Sequence, residues 1–360
     1  MKIPAPVRID REFWMRRRVL VTGHTGFKGG WLSLWLQSLG AEVTGLSSAT
    51  PAMPSLYGLA RVGSGMREQA LDLRDGRALG RALAAADPEV VIHLAAQPVV
   101  RRSLRDPVTT FQVNVMGTVN LLEAIRLAAP GVRAVILVTS DKCYENPGGG
   151  PHRFAESDRL GGEDPYSSSK ACAELVAAAY RRSYFQAEGS PRIATARAGN
   201  VIGGGDWGED RLLADIVRAV ELGEPVMVRN PDAVRPWQHV ISPLAGYLRL
   251  VEELWRREGA SRAWNFGPAE EDERTVGWIV GRLAELWGGA FDWRVDEGDN
   301  PPEARHLALD STASELQLGW RPVCGLQEAL GLLVAWHRSH RRGEDMREVS
   351  LGQIARLGSG

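Results

Sequence analysis

The ten residues "VTGHTGFKGG" at 21–30 limit the possible folds more than any other stretch of this chain. They continue the β-rich run "RRVLVTG" and open the helical pattern "FKGGWLSLWLQSL", which puts Gly23, Gly26 and Gly29 at GxxGxxG spacing in a strand-to-helix turn. In that setting glycines allow a sharp turn and a close backbone approach to a pyrophosphate, which then lies against the positive end of the helix. Gly23, His24, Thr25, Gly26, Phe27 and Gly29 are therefore the expected edge of a dinucleotide site. A P-loop is excluded, because Lys28 is followed by Gly29 rather than Ser or Thr and the glycine spacing is wrong for it.

The same alternation continues through the first half. "AEVTGLS", "EQALDL", "VVIHLAA", "AVILVTS" and "RIATARAG" read as strands separated by helical patterns, which predicts an α/β fold: a doubly wound parallel sheet of the Rossmann kind with helices on both faces. Asp106 at an N-cap and Pro107 at the first helical position begin a long amphipathic helix, with Val108, Phe111, Val115, Val119 and Leu122 at spacings of three and four. After Asn200 the regular alternation stops. Residues 1–200 are expected to form a dinucleotide-binding domain and 201–360 a smaller α/β substrate domain, with a segment near 238–268, containing "RAWNFGP", returning to the main sheet.

The second strand ends in Ser47 and Ser48, so neither the usual ribose-reading acid nor an arginine for a 2′-phosphate stands there, and NAD is favoured over NADP. Asp72 and Leu73 are expected at the adenine edge, where Asp72 reads equally well as a surface acid, and Leu94, Ala95 and Ala96 at the end of the fourth strand.

Composition removes several classes of function. A net charge of -1 with interspersed signs offers no footprint for nucleic acid or an acidic membrane surface. Three distant cysteines suggest neither a disulfide framework nor a metal pair, and no apolar run approaches the roughly 18 residues of a membrane span, so a cytoplasmic location is expected. His337 and His340 are expected on a solvated helix face rather than at a metal, the tail "RLGSG" is expected to fray, and no metal is predicted.

Tyr166 and Lys170 lie four apart at a helix start, hence on one face, and Ser140 ends the preceding strand. An ammonium beside a phenol lowers its pKa, so Tyr166 is suited to exchange the proton of a substrate hydroxyl while Ser140 holds the same oxygen. Cys143 reads as a packed small side chain.

With "YSSSK" at 166–170 and "LDSTASELQLGWRP" at 309–322, the chain resembles extended short-chain dehydrogenases/reductases over nearly its whole length. "FWMRRRVLVTGHTGFKGGWLSLWLQSLGAEVTG", "TSDKCYEN", "RAGNVIGGGDWGEDR" and "RNPDAVRPWQHV" are similar, more narrowly, to the CDP-glucose branch of the nucleotide-sugar 4,6-dehydratases. The resemblance implies tightly held NAD, a C-terminal domain that grips the nucleotide sugar, and homodimers or dimers of dimers built on the helices near 106–128 and 166–187. It implies a hydro-lyase that oxidises C4 of CDP-glucose, eliminates water across C5 and C6 and returns the hydride to C6, in the service of deoxysugar and O-antigen synthesis. Asp141 inherits the role of general acid for the departing 6-hydroxyl. Lys142 falls where the dTDP-glucose and GDP-mannose enzymes have Glu, and two roles are open to it: a desolvated neutral base for the C5 proton, or a cation that stabilises the enolate while another group, such as Tyr166, is the base. For substrate the resemblance implies Gln97 and Ser103 toward the hexose, and Asn200, Arg211, Arg235, Trp237 and Arg305 toward the nucleotide diphosphate. Competing readings are another nucleotide specificity, a 4-epimerase, which needs Ser140, Tyr166 and Lys170 but no acid beside them, and a non-catalytic NAD sensor.

Overall fold

A computed structural model describes residues 8–146, 148, 150–289, 291–298 and 304–358. Its centre is a seven-stranded, wholly parallel sheet in the order Ala263–Phe266, Arg192–Ala198, Ala134–Val138, Val90–His93, Arg18–Thr22, Glu42–Ser47, Arg67–Ala70. The inner strands are apolar runs because both faces are covered. Along Arg18–Thr22, Val19 and Val21 enter one core and Leu20 the other; Val90 and Ile92 oppose Val91 in the same way, as Ala134 and Ile136 oppose Val135 and Leu137. Helices Phe27–Ser38 and Ile241–Arg256 complete the first core; Gly76–Ala86, Gly117–Ala128 and Pro165–Ser183 complete the second.

Chain order reverses between Arg18–Thr22 and Val90–His93. The loops leaving those two strands diverge to opposite faces, and this is where open α/β sheets place their ligands. Here a cleft runs along the carboxyl edge of the sheet, lined from Gly23 through Ser47, Asp72, Ala95 and Ser140 to Asn200.

The helix expected from Asp106 begins there, its carboxylate accepting from Thr109 N at 3.1 Å. It is not uniform: Pro107–Phe111 widens into a π turn, Gln112–Met116, before Gly117–Ala128. Within that turn buried Asn114 accepts from Gln97 N at 2.7 Å and donates to Gln97 O at 3.1 Å and Ser169 Oγ at 2.9 Å, tying the loop after the fourth strand to the YSSSK helix.

A separate core gathers Ile202, Leu213, Ile216, Trp237, Ile279 and Leu330 beside the cleft. Trp320, Trp336, Ile354 and Leu357, by contrast, join the core under the sheet, so the C-terminal region contributes to both. Two expectations for this region fail. His337 is 3% exposed and packs its ring on Trp207, Trp287 and Trp336, while His340 stacks on Trp336. The reason is helical phase: in Leu326–Arg341, His337 shares a face with Leu330, Leu333 and Val334, while Arg338 points to solvent. The tail is also ordered through Gly358 in the helix Met346–Gly358, with Leu357 buried; Ser359 and Gly360 lie outside the described residues. No group of three metal-ligating side chains occurs among the described residues, and no helix among them is long and apolar enough to cross a membrane.

Candidate active site

The glycine loop forms one end of the cleft. Gly23 has φ +78°, a Cβ there would lie 2.7 Å from Ala95 N, and a Cβ on Gly29 would lie 2.1 Å from Gly23 O. The turn is closed by Gly23 N donating to Leu46 O at 2.7 Å and Gly26 N to Gly23 O at 3.1 Å. Gly26 caps Phe27–Ser38 without a side-chain hydrogen bond, so first-turn N–H groups remain available to an anion in the cleft. This cradle, which any side chain would fill, fits a dinucleotide pyrophosphate. We expect Gly29→Ala to weaken dinucleotide binding at least tenfold and to cost about 2 kcal/mol of stability, because backbone cannot yield as a side-chain tip can; calorimetric titration and thermal denaturation check both.

Thr25, Phe27, Asp72, Leu73, Leu94, Ala95 and Ala96 also line the cleft. Asp72 accepts from Arg74 N, Nε and Nη2 at 2.6–3.0 Å, so the acid is already engaged at the surface. His24 turns away from the lining: its Nε2 lies 2.7 Å from Glu68 Oε1 and its Nδ1 3.1 Å from Ser47 Oγ, which also accepts from Thr25 N at 3.4 Å. It buttresses the end of the second strand.

Ser140, Asp141, Lys142, Tyr166 and Lys170 converge on the middle of the cleft. Strand Ala134–Val138 delivers the first three in a tight turn, with Ser140 Oγ donating to Asp141 Oδ1 at 2.9 Å and accepting from Lys142 N at 3.2 Å. Asp141 is 3% exposed, and its Oδ2 has no hydrogen-bond partner among the described residues. Burial raises its pKa from the ordinary carboxylate value, against the pull of Lys142, of the Ser140 hydroxyl and of the Lys28 and Arg235 charges. A carboxyl group whose surroundings favour its acid form is suited to give a proton to a leaving oxygen.

Helix Pro165–Ser183 presents Tyr166 and Lys170. Asp164 caps it by accepting from Ser167 N, and Ser103 Oγ accepts from Tyr166 N at 3.1 Å. The lysine effect expected on the phenol is not the dominant one. Burial pushes Tyr166 up to about 12, with hydrogen bonding to Ser140 pulling the other way, while burial and the charge of Lys28 bring Lys170 down to about 8. The Lys170 ammonium donates to Val138 O at 3.2 Å. Cys143 is fully buried and its thiol is raised well above its ordinary value by burial, which suits a packed and unreactive side chain.

Among the residues expected near substrate, Gln97, Asn200, Arg211, Arg235 and Trp237 line the cleft. Gln97 is held by Val99 and Thr110, Arg211 pairs with Asp206 at 2.7 Å, and Trp237 Nε1 donates to Arg274 O at 3.1 Å. Two do not reach it. Ser103 is buried, donating to Val100 O while it caps Tyr166, and Arg305 is exposed, although its neighbours Ala304 and Leu307 belong to the lining.

Lys28, Arg101, Arg229 and Asp210 line the cleft without having been singled out from sequence. Asp210, at φ +56°, lies 3.6 Å from Arg101 and 3.9 Å from Arg229, bridging the two sides of the opening. Lys28 is brought down to about 8, mainly by burial, with Asp141 opposing and Arg211 reinforcing. One signal was legible: a lysine in the first turn of a helix works against the macrodipole, so a functional reason for it was to be sought.

A model of the NAD dependent epimerase/dehydratase family matches residues 19–267. The chain is 47% identical over 353 residues to a CDP-glucose 4,6-dehydratase of Salmonella typhimurium, covering 96% of this chain and 98% of the relative. It is 31% identical to a dTDP-glucose 4,6-dehydratase of Streptomyces griseus, covering 91% and 96%. Among solved structures, a UDP-glucose 4-epimerase of Thermus thermophilus in complex with NAD superposes with TM-score 0.76 at 29% identity, covering 89% of this chain and 98% of that one. A dTDP-glucose 4,6-dehydratase of Streptomyces venezuelae with NAD bound gives 0.76 at 25%, covering 91% and 99%.

Proposed function

We propose, from the premise that this chain belongs to the NAD dependent epimerase/dehydratase family, that it catalyses the NAD-dependent dehydration of CDP-glucose to CDP-4-keto-6-deoxyglucose. The observation that carries this reading is the 47% identity, nearly end to end, with a CDP-glucose 4,6-dehydratase, against 31% for the dTDP-glucose enzyme. The buried acid Asp141 beside Ser140 supports water loss over epimerisation, which has no use for it.

NAD supplies the hydride acceptor for C4 and the hydride returned to C6. The glycine loop and first helical turn hold its pyrophosphate, with Asp72, Leu73 and Leu94–Ala96 along its length. Tyr166 moves the proton of the C4 hydroxyl and Ser140 holds that oxygen, with Lys170 one helical turn beyond the phenol on the same face. Ketone formation acidifies C5, and Asp141 protonates the 6-hydroxyl as it leaves. Lys142, half-buried in the same turn, takes the C5 proton as a desolvated neutral base or, as a cation, stabilises the enolate while another group, such as Tyr166, takes that proton. Arg211 and Arg235 meet the diphosphate, with Asn200 and Trp237 beside them. Ser103 and Arg305, off the cleft lining, receive no direct substrate role.

Residues 1–200 with the returning segment near 238–268 form the NAD-binding unit, and 201–360 supply most of the nucleotide-sugar unit. A homodimer is supported by the apolar residues left on the surface of two adjoining helices, Val108, Phe111 and Met116 on one and Leu175 on the other, with Val108 65% exposed. The cytoplasm is the proposed location, where nucleotide sugars are made.

The test is mass spectrometry of the protein incubated with NAD and CDP-glucose, with dTDP-glucose, GDP-mannose and UDP-glucose in parallel. Loss of one water from CDP-glucose alone, without accumulation of reduced cofactor, is the expected result. Unchanged mass with conversion of glucose to galactose identifies an epimerase instead.

A further inference from the structure

Behind the turn that carries Ser140, Asp141 and Lys142 lies a buried ion pair that the reaction itself does not use. Glu174 and Arg197, 3% and 4% exposed at their side chains, meet at 2.8 Å. Glu174 stands one helical turn beyond Lys170 on the YSSSK helix, so Tyr166, Lys170 and Glu174 follow one face at spacings of four. Arg197 comes from the neighbouring strand Arg192–Ala198.

Each partner holds one end of the turn. Thr139, immediately before Ser140, donates to Glu174 Oε1 at 2.5 Å, and Thr195 donates to Oε2 at 2.7 Å. Tyr144, after Cys143, accepts from Arg197 Nη1 at 2.8 Å and lies with its ring centroid 4.9 Å from the guanidinium. The tyrosine hydroxyl then donates to Asn265 Oδ1 at 2.7 Å, and Asn265 Nδ2 donates to Phe154 O and Asp310 O. The chain from Thr139 to Tyr144 is thus closed into a ring through two buried charges.

We propose that the Thr139–Glu174–Arg197–Tyr144 ring is a positioning clamp that fixes Asp141 relative to Tyr166 and Lys170, and so serves the elimination step more than the oxidation step. Breaking a buried pair leaves an uncompensated charge, so the geometry is held firmly. The two anchors are not equivalent. Thr139 adjoins Ser140, needed for oxidation, whereas Tyr144 anchors the far side of Asp141. Glu174 also offsets, by its charge, the burial of the Lys170 ammonium.

The inference rests on the dehydratase reading, and two measurements separate its failure from that of the reading. Hydrogen–deuterium exchange needs no substrate: in Tyr144→Phe, exchange is expected to rise in 139–146 and stay unchanged in 18–23. Turnover of CDP-glucose then tests the consequence. The variant should lose kcat on the order of 10- to 100-fold with little change in KM, since small displacements of a catalytic group have effects of that size. It should also accumulate reduced cofactor, because oxidation proceeds while water loss lags. Thr139→Val should slow both phases together. Unchanged exchange in the turn overturns the clamp whatever the substrate proves to be. So does a Tyr144→Phe enzyme that melts earlier throughout and loses oxidation and elimination in equal measure, which marks the ring as ordinary core.

Discussion

Asp141→Asn is expected to stop water loss while leaving C4 oxidation in place. General acid catalysis contributes on the order of 10²- to 10⁴-fold, so kcat for the deoxysugar should fall within that range. Asparagine keeps the shape of the side chain and can still accept from the Ser140 hydroxyl, but its amide proton is not transferable at any relevant pH. Ser140, Tyr166 and Lys170 remain, so rapid mixing with CDP-glucose should produce a single turnover of reduced nicotinamide that persists. In the parent enzyme the signal should be transient. Equal loss of the oxidation phase in the variant would assign Asp141 to C4 chemistry and remove the basis for preferring a dehydratase over an epimerase mechanism. The setting of Asp141 makes the expectation sharp. A carboxyl group at a strand end with one oxygen unpartnered and its pKa raised by burial is costly in a folded protein, and such groups are kept where their proton is used.

The second large effect is on stability. His93, His239 and His337 are all buried, and burial brings each down to about 3 from an ordinary value near 6.5. Lys170 reinforces the effect on His93 and His340 that on His337, while Gln353 opposes it at His239. Their packing explains the cost of charge: His93 bridges Thr22 and Thr118, His239 sits against Trp31, and His337 lies among tryptophans. Between the two pKa values the unfolded chain binds more protons than the folded one. Stability from these groups is therefore complete above about pH 6.5 and declines as pH falls toward 3. At pH 5 each histidine should account for a loss on the order of 2 kcal/mol. Asp141 and Glu252, whose pKa values burial raises, act in the opposite sense, so the parent protein alone does not isolate the histidines. Urea denaturation of the parent and of His337→Gln at pH 7 and pH 5 does: the variant should lose less on acidification than the parent, by about 2 kcal/mol. Equal losses would mean that His337 is readily protonated in the folded state.

The doubly wound parallel sheet, the glycine cradle and the shared helix face of Tyr166 and Lys170 were legible because each depends on neighbours in sequence: alternating burial along strands, a turn that admits no side chain, a four-residue helical spacing. The shift to a π turn at Gln112–Met116 was not legible, since the reward for widening the helix is Asn114 reaching a loop and another helix far away in the chain. Ser103 and Arg305 show the same limit from the other side. Their positions in the chain are near the right loops, but the direction of each side chain follows from what packs around it.

By itself, then, the sequence determined the class of architecture and the glycine cradle and named the candidate reacting groups, because local backbone geometry and side-chain chemistry carry those. Tertiary structure alone decided which charges are buried. Only packing could put Lys28 opposite Asp141, turn His337 from an apparent surface residue into a core one, and join Glu174 to Arg197 behind the site. Burial is a property of the surroundings a folded chain assembles from distant segments, and it is burial that contributes most to the pKa shifts of Asp141, Tyr166 and Lys170.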